Sequence, residues 1–165
     1  MTKKEKDKKV AESGDRTVAV NRRGRFDYEI EDSFEAGLVL TGTEVKSLRQ
    51  GNAQIAEGYA HLEAGPNGVA EAWLYNVHIA PYKEGNVFNV ESRRKRKLLL
   101  RRDQLNRLMG STKQKGYTLV PLKLYFTRGR AKLEIGLGKG RKHHDKRQAI
   151  AERETKRELR NMTRE

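Results

Sequence analysis

The chain contains no cysteine among its 165 residues. Disulfides, thiolate catalysis and cysteine-based zinc sites are excluded together, and a reducing cytoplasm fits. Long hydrophobic runs are also missing: the longest apolar stretches are a few residues, against the roughly 18 that read as a membrane-spanning helix. Met1 to Val10 alternates Lys with Glu and Asp and has no apolar h-region, so neither a secretory signal nor a transit peptide is expected. Catalytic patterns are lacking too. Glu35, Glu44, Glu57, His61 and His78 show no motif spacing, and the chain is expected not to be an enzyme. His143 and His144 beside Asp145 lack the spacing of a metal site. Gly136-Leu-Gly-Lys-Gly140 lacks the following Lys-Ser or Lys-Thr and the apolar helix of a nucleotide loop. No cofactor is expected.

What the chain has in excess is positive charge. Lys and Arg number 36 against 22 Asp and Glu, a formal net charge of +14. A surplus of that size repels itself, and a polyanionic partner is the physical reason to tolerate it, because neutralising phosphates releases their condensed counterions. Nucleic acid and an anionic membrane surface are the two candidates, and the want of a long apolar stretch counts against the membrane. The basic groups are clustered: Arg22, Arg23 and Arg25, then the unbroken run Arg93-Arg-Lys-Arg-Lys97, then Lys139 to Arg147. Each cluster could track a phosphate backbone, although such runs are also ordinary solvated surface. No helix-turn-helix, zinc-finger or basic-zipper pattern is present, which favours RNA over DNA.

Along the chain, residues 1–16 carry six basic and four acidic side chains and read as a disordered arm. From Thr17 onward Val18, Val20, Phe26, Tyr28 and Ile30 alternate, predicting a first strand, and 35–41 continues as a second extended run. Val45 and Leu48 between Thr43, as cap, and Gly51 predict a short helix. Strand-like patterns at 55–62 and 72–79 flank a turn-rich segment and predict a hairpin. A polar loop then runs from Pro81 to about Arg96, long enough to suggest function. Leu98 to Met109 has helical spacing, and 118–126 with 131–137 predict a closing hairpin through Arg128-Gly129. The expected fold is therefore mainly β with short helices: an OB-like closed barrel over 17–138, which alternation alone does not separate from an SH3-like one. Residues 139–165 contain ten Lys or Arg and few apolar side chains, and predict a basic tail that is disordered when free.

Phe26, Tyr28, Tyr59, Trp73, Tyr75, Tyr125 and Phe126 sit in strand patterns, where core packing is the expected role of each. Recognition of RNA by shape and backbone follows from that expectation. Glu35 and Glu44 could accept hydrogen bonds from RNA hydroxyls or orient nearby arginines, and a purely structural role is an equal alternative. The imidazoles of His143 and His144, among lysines and arginines, could stack on bases.

Four segments in order carry a resemblance: Asn21-Arg-Arg-Gly-Arg-Phe-Asp-Tyr-Glu-Ile30, Phe34-Glu-Ala-Gly-Leu-Val-Leu-Thr-Gly-Thr-Glu-Val-Lys-Ser-Leu-Arg49, Arg96-Lys-Leu-Leu-Leu100 and Lys139-Gly-Arg-Lys-His-His-Asp-Lys-Arg147. Together they resemble the SmpB family of tmRNA-binding proteins, over about residues 17–147. Any one alone would be a weak signal.

The resemblance implies an OB fold that binds the tRNA-like domain of tmRNA and brings it to stalled ribosomes, where nascent chains are tagged for degradation. It implies no catalytic role. Elongation factor Tu with alanyl-tmRNA is an implied partner, and the protein is expected to act as a monomer in the cytoplasm. The implied tmRNA-binding residues are Asn21, Glu35 and Leu99, with Arg22, Arg23, Arg25, Arg96 and Lys97 supplying positive charge. The tail is implied to enter the small-subunit decoding centre and the empty mRNA channel and become helical there, through Lys139, Arg141, Lys142, His144, Asp145, Lys146 and Arg147. The end departs from the family pattern at Asn161, which precedes Met162 where an apolar residue is common. Rival readings are a general RNA-binding or ribosomal structural protein, which leaves the ordered motifs unexplained, and an RNA-modifying or RNA-cleaving enzyme.

Overall fold

The computed structural model describes residues 15–114 and 116–163. The arm expected over residues 1–16 therefore lies, but for Asp15 and Arg16, outside the described residues. The elements in chain order begin with β1 (Arg16–Val20), α1 (Arg22–Asp27), β2 (Tyr28–Leu38) and α2 (Gly42–Arg49). β3 (Ala53–Gln54), β4 (Tyr59–Ala64), β5 (Ala70–Tyr75), β6 (His78–Ile79) and β7 (Arg96–Leu99) follow. α3 (Arg102–Thr112), β8 (Tyr117–Thr127), β9 (Arg130–Gly140) and α4 (His143–Met162) complete the chain.

All pairings are antiparallel, and the strands follow one another as a ring: β8 meets β4, then β5, β7, β2 and β9, and β9 pairs again with β8. The free edge of β8 is shared. Its first half meets β4 at Ala60 opposite Leu119, and its second half carries β1. Between the two stands Pro121, which has no N–H to give and sits at a register shift. β8 turns into β9 through Arg128 and Gly129, both at positive φ (49° and 73°), the two-residue geometry whose twist matches a hairpin. β3 and β6 form a separate small ladder.

The core is what the alternating patterns turn inward: Phe34 and Ala36 from β2, Ala60, Ala72 and Leu74 from the β4–β5 hairpin, Leu119, Leu124 and Phe126 from β8, and Leu133, Ile135 and Leu137 from β9. α2 and α3 each add one fully buried leucine, Leu48 and Leu108. Five expectations shift in detail. The first strand is interrupted by α1, because Asn21 caps a helix: its side chain accepts the Gly24 N–H at 2.8 Å. The cap of α2 is Thr41 rather than Thr43, since Glu44 at the third helical position returns a hydrogen bond to the Thr41 N–H at 3.0 Å. Ile55 precedes the strand that begins at Tyr59. Leu98 fills the core from a strand, and the helix expected from there starts at Arg102, short apolar runs being readable either way.

The fifth difference is the tail. It forms a helix of 20 residues rather than the disorder expected of the free chain. The Ala149-to-Ala151 stretch and the Glu, Arg and Lys that dominate beyond it are strong helix formers, and Asp145 accepts a hydrogen bond from the Lys142 N–H at 3.3 Å. Not one of its residues is buried, so this helix forms without a packed face.

Candidate nucleic-acid interface

Because β2 turns Phe34 and Ala36 into the core, strand alternation sends Ser33, Glu35 and Gly37 outward. Register fixes their neighbours. Glu134 of β9 lies opposite Glu35, Lys132 opposite Gly37, and Leu99 of β7 opposite Gly37 on the other side. One strand further, β8 places Lys123 beside Glu134 and Tyr125 beside Lys132. Gly37 lets Leu99 lie close across the strand, since a Cβ there would stand 3.2 Å from the Leu99 Cβ. Leu99 is 54% exposed, unusual for a leucine on a strand whose neighbour Leu98 fills the core.

Glu35 and Glu134 face each other as like charges, which is unfavourable unless cations or donors intervene. They do. The Tyr125 hydroxyl donates to Glu35, Lys132 stands 4.0 Å from it, and Arg25 reaches from α1 to Glu134 at 3.3 Å. Burial, then the hydrogen bond to Glu35, pushes the Tyr125 hydroxyl up from the ordinary tyrosine range, so it remains a donor. Glu35, Thr127, Arg128, Arg130 and Lys132 line a depression of about 500 Å³. One face thus joins a carboxylate, an exposed leucine and several cations, a surface able to hold phosphate and ribose while a hydrocarbon contact excludes water.

Asn21 is only 1% exposed. Besides capping α1, it donates from Nδ2 to the Pro121 carbonyl at 2.9 Å, while its own N–H bonds Leu122 at 2.8 Å. It therefore shapes α1 and leaves Arg22, Arg23 and Arg25 on the surface. Arg23 pairs with Asp27 at 3.3 Å, and both line a groove of about 540 Å³ whose opposite wall is Ala56 to Tyr59.

The run Arg93 to Lys97, expected as a phosphate-tracking patch, is largely engaged by the protein's own carboxylates, its five cations sharing four of them. Arg93 pairs with Glu57 (3.5 Å), Lys95 with Glu63 (3.4 Å), Lys97 with Glu71 (2.7 Å), and Arg94 and Arg96 both with Glu44. Arg96 has no exposed surface. Its guanidinium donates to Glu44, to the Val77 carbonyl at 2.7 Å and to the Ser92 carbonyl at 2.9 Å, so it ties the 80–95 loop to α2 and offers nothing to RNA directly. Burial lowers its pKa, whereas burial pushes Glu44 up but is outweighed by hydrogen bonds from Arg94, the Thr41 main chain and Arg96, leaving its carboxyl below the usual range. The carboxylates lie 26 or more residues from their partners, and no local signal in the sequence pairs them.

At the opposite end of β2, Tyr28 pairs with Gly140, so the tail leaves the body beside α1. Lys139, near the end of β9, sits over the Tyr117 ring at 4.6 Å. The Arg141 N–H bonds the Asp27 carbonyl at 2.8 Å, and Lys146 pairs with the Asp27 carboxylate at 3.2 Å. His144 contacts Asp145 at 2.9 Å, while Lys142 and Arg147 are exposed without an ion pair among the described residues. The predicted residues therefore fall in two groups. Asn21, Arg22 and Arg23 join the tail residues at one end of β2. Glu35 and Leu99 sit at the other, roughly 23 Å away at about 3.3 Å per residue, with Arg25 between. Among the described residues no three His, Asp or Glu side chains gather as metal donors. Nor is any helix there long and apolar enough to cross a membrane.

Three comparisons bear on this surface. A family model described as SmpB protein matches residues 18–165. The SsrA-binding protein of Thermobifida fusca is 53% identical over 159 residues, covering 96% of this chain and 95% of the relative. That of Alkaliphilus metalliredigens is 52% identical over 150 residues, covering 91% and 92%. That of Leifsonia xyli is 55% identical over 147 residues, covering 89% and 90%. Among solved structures, a chain described as "tmRNA-SmpB: a journey to the center of the bacterial ribosome" superposes with a TM-score of 0.62 at 48% identity, covering 80% of this chain and 93% of that one.

Proposed function

The chain belongs to the SmpB protein family, and on that premise we propose that it binds the tRNA-like domain of tmRNA and carries it to stalled ribosomes. The observation that carries this reading is the outward face of β2, β8 and β9. There Glu35, Leu99 and Arg25, far apart in sequence, share one surface with Lys123, Tyr125, Arg128, Arg130 and Lys132. Arg128 and Arg130, without an ion pair among the described residues, stand near a carboxylate and suit a folded RNA, whose phosphates and 2′-hydroxyls need donors and acceptors together. In this reading the ring of strands is an OB-like barrel, and Asn21 and Arg96 act by shaping the surface.

The second half of the proposal concerns α4. It leaves the body with its basic side chains in solvent, the form of a segment that lies in an RNA-walled channel. We assign it to the decoding centre and the vacant mRNA path, with Lys139, Arg141, Lys142, His144, Asp145, Lys146 and Arg147 nearest the body. Elongation factor Tu with alanyl-tmRNA, a monomeric state, cytoplasmic action and the absence of a catalytic step belong to the same proposal.

The test is a competition assay at physiological salt, where non-specific electrostatic binding is weak. The tRNA-like domain of tmRNA is offered against excess bulk tRNA. Strong preference is expected; equal binding of the two would reduce the protein to a generic basic RNA binder.

A further inference from the structure

The outward face of β4, β5 and β7 has a chemistry unlike the rest of this basic protein. Alternation that turns Ala60, Ala72 and Leu74 inward leaves Tyr59 and His61 outward on β4, and Trp73 and Tyr75 outward on β5. Tyr59 stands opposite Tyr75, and His61 opposite Trp73. The first pair is stacked, with ring centroids 5.3 Å apart and planes 13° from parallel. Core packing was the expected role of these rings, but a period of two does not say which face is inside, and the small alanines took it.

The ring faces are not equally available. Lys95 lies 4.4 Å from the Trp73 centroid and 6.0 Å from that of Tyr75, and Tyr59 covers the other side of Tyr75. Tyr59 itself is 50% exposed. The cations around the strip are already matched, Arg93 to Glu57, Lys95 to Glu63 and Lys97 to Glu71, so it does not compete for phosphates. Positive charge lies at its edge. Tyr59 lines the same groove as Arg23, which shares Asp27 with Lys146, and exposed Arg22 on the same helix has no ion pair among the described residues. A neutral aromatic step beside a cationic lip matches a nucleotide: a flat uncharged base with a charged backbone alongside.

We infer that Tyr59 is the stacking site for one unpaired RNA base, which extends the Tyr59–Tyr75 pile while Arg22 and Arg23 hold the adjoining phosphates. The inference rests on the RNA-binding reading above and adds a second contact to it, on β4 and α1 rather than on Glu35 of β2 and Leu99 of β7. Trp73, the one tryptophan of the chain, lies on the neighbouring rung and reports occupancy.

The experiment titrates the full chain with a short unstructured RNA hexamer at physiological salt and follows Trp73 fluorescence, for the parent, Tyr59→Ala and Tyr59→Phe. Saturable quenching is expected in the parent and in Tyr59→Phe, which keeps the ring and guards against misfolding. Tyr59→Ala should bind about tenfold more weakly, the loss expected of one stacked base. Absence of saturable quenching in the parent, or equal affinity in Tyr59→Ala, would overturn the site and leave the face to a protein partner. Binding of the tRNA-like domain, measured in parallel with Leu99→Asp, separates the two ideas: its persistence while the hexamer result fails would sink only the stacking site.

Discussion

The body and the tail helix both carry more basic than acidic side chains, yet their charges are held in different ways. In the body each cation from Arg93 to Lys97 contacts a carboxylate distant in sequence, Arg94 and Arg96 sharing Glu44, while Glu35 is held by Lys132 of a neighbouring strand and Glu134 by Arg25 of α1. In α4 nothing is buried, and one aspartate on α1, Asp27, binds its root. Net charge therefore misleads about where a polyanion can bind. A basic run whose partners are supplied by the fold is scaffold; basic residues left over at turns, on α1 and along α4 are the available surface.

The largest expected effect removes one member of that pair altogether. Truncation after Gly140 should leave binding of the tRNA-like domain essentially intact and abolish tagging on stalled ribosomes. Loss of both activities together would mean that body and tail do not divide the work.

Next is the scaffold itself. Glu44→Gln leaves the Arg96 guanidinium buried without its counter-ion and should destabilise the body by about 3–5 kcal/mol, seen as a lower midpoint in urea. The sign with pH follows from the lowered pKa of Glu44. Its contribution is full above the ordinary value of 4.5 and is lost as pH falls through the lower folded value, so the gap between parent and variant should close in acid. A gap independent of pH would show that the carboxylate is not the source.

Leu99→Asp tests the exposed face. With the side chain more than half in solvent, stability should change by no more than about 0.5 kcal/mol, while affinity for the tRNA-like domain should fall at least about tenfold, or ~1.4 kcal/mol. An unchanged affinity would remove Leu99 from the interface. The smallest effect concerns the tail root. Asp27→Asn should cost at most about 1 kcal/mol, as exposed ion pairs do, and should speed hydrogen exchange in the first turn of α4 without altering the body. Exchange unchanged there would show that the helix root is held by something else.

Much of this was legible beforehand. Strict alternation in 118–126 and 131–137 and the Arg128-Gly129 turn specify the β8–β9 hairpin locally, because side chains two apart share a face. Thr41 and Asn21 were harder. Capping depends on which donor a side chain reaches, and several Ser, Thr or Asn residues stand near each helix start. The aromatic strip differs from expectation for a related reason: Tyr59 and Trp73 alternate as well as Ala60 and Ala72 do, and a period of two leaves open which face is packed inside.

Composition and pattern by themselves determined the mainly β body and the separate character of the tail, and pointed to a polyanionic partner. They could do so because charge is additive and because strand periodicity and ordered motifs are local properties of a chain. Only the tertiary structure decided which of those residues are free to bind. Whether Arg96 meets an RNA or Glu44, and whether Glu35, Leu99 and Tyr125 share one face, depends on register between strands distant in sequence. That register is set by the packing of the whole core.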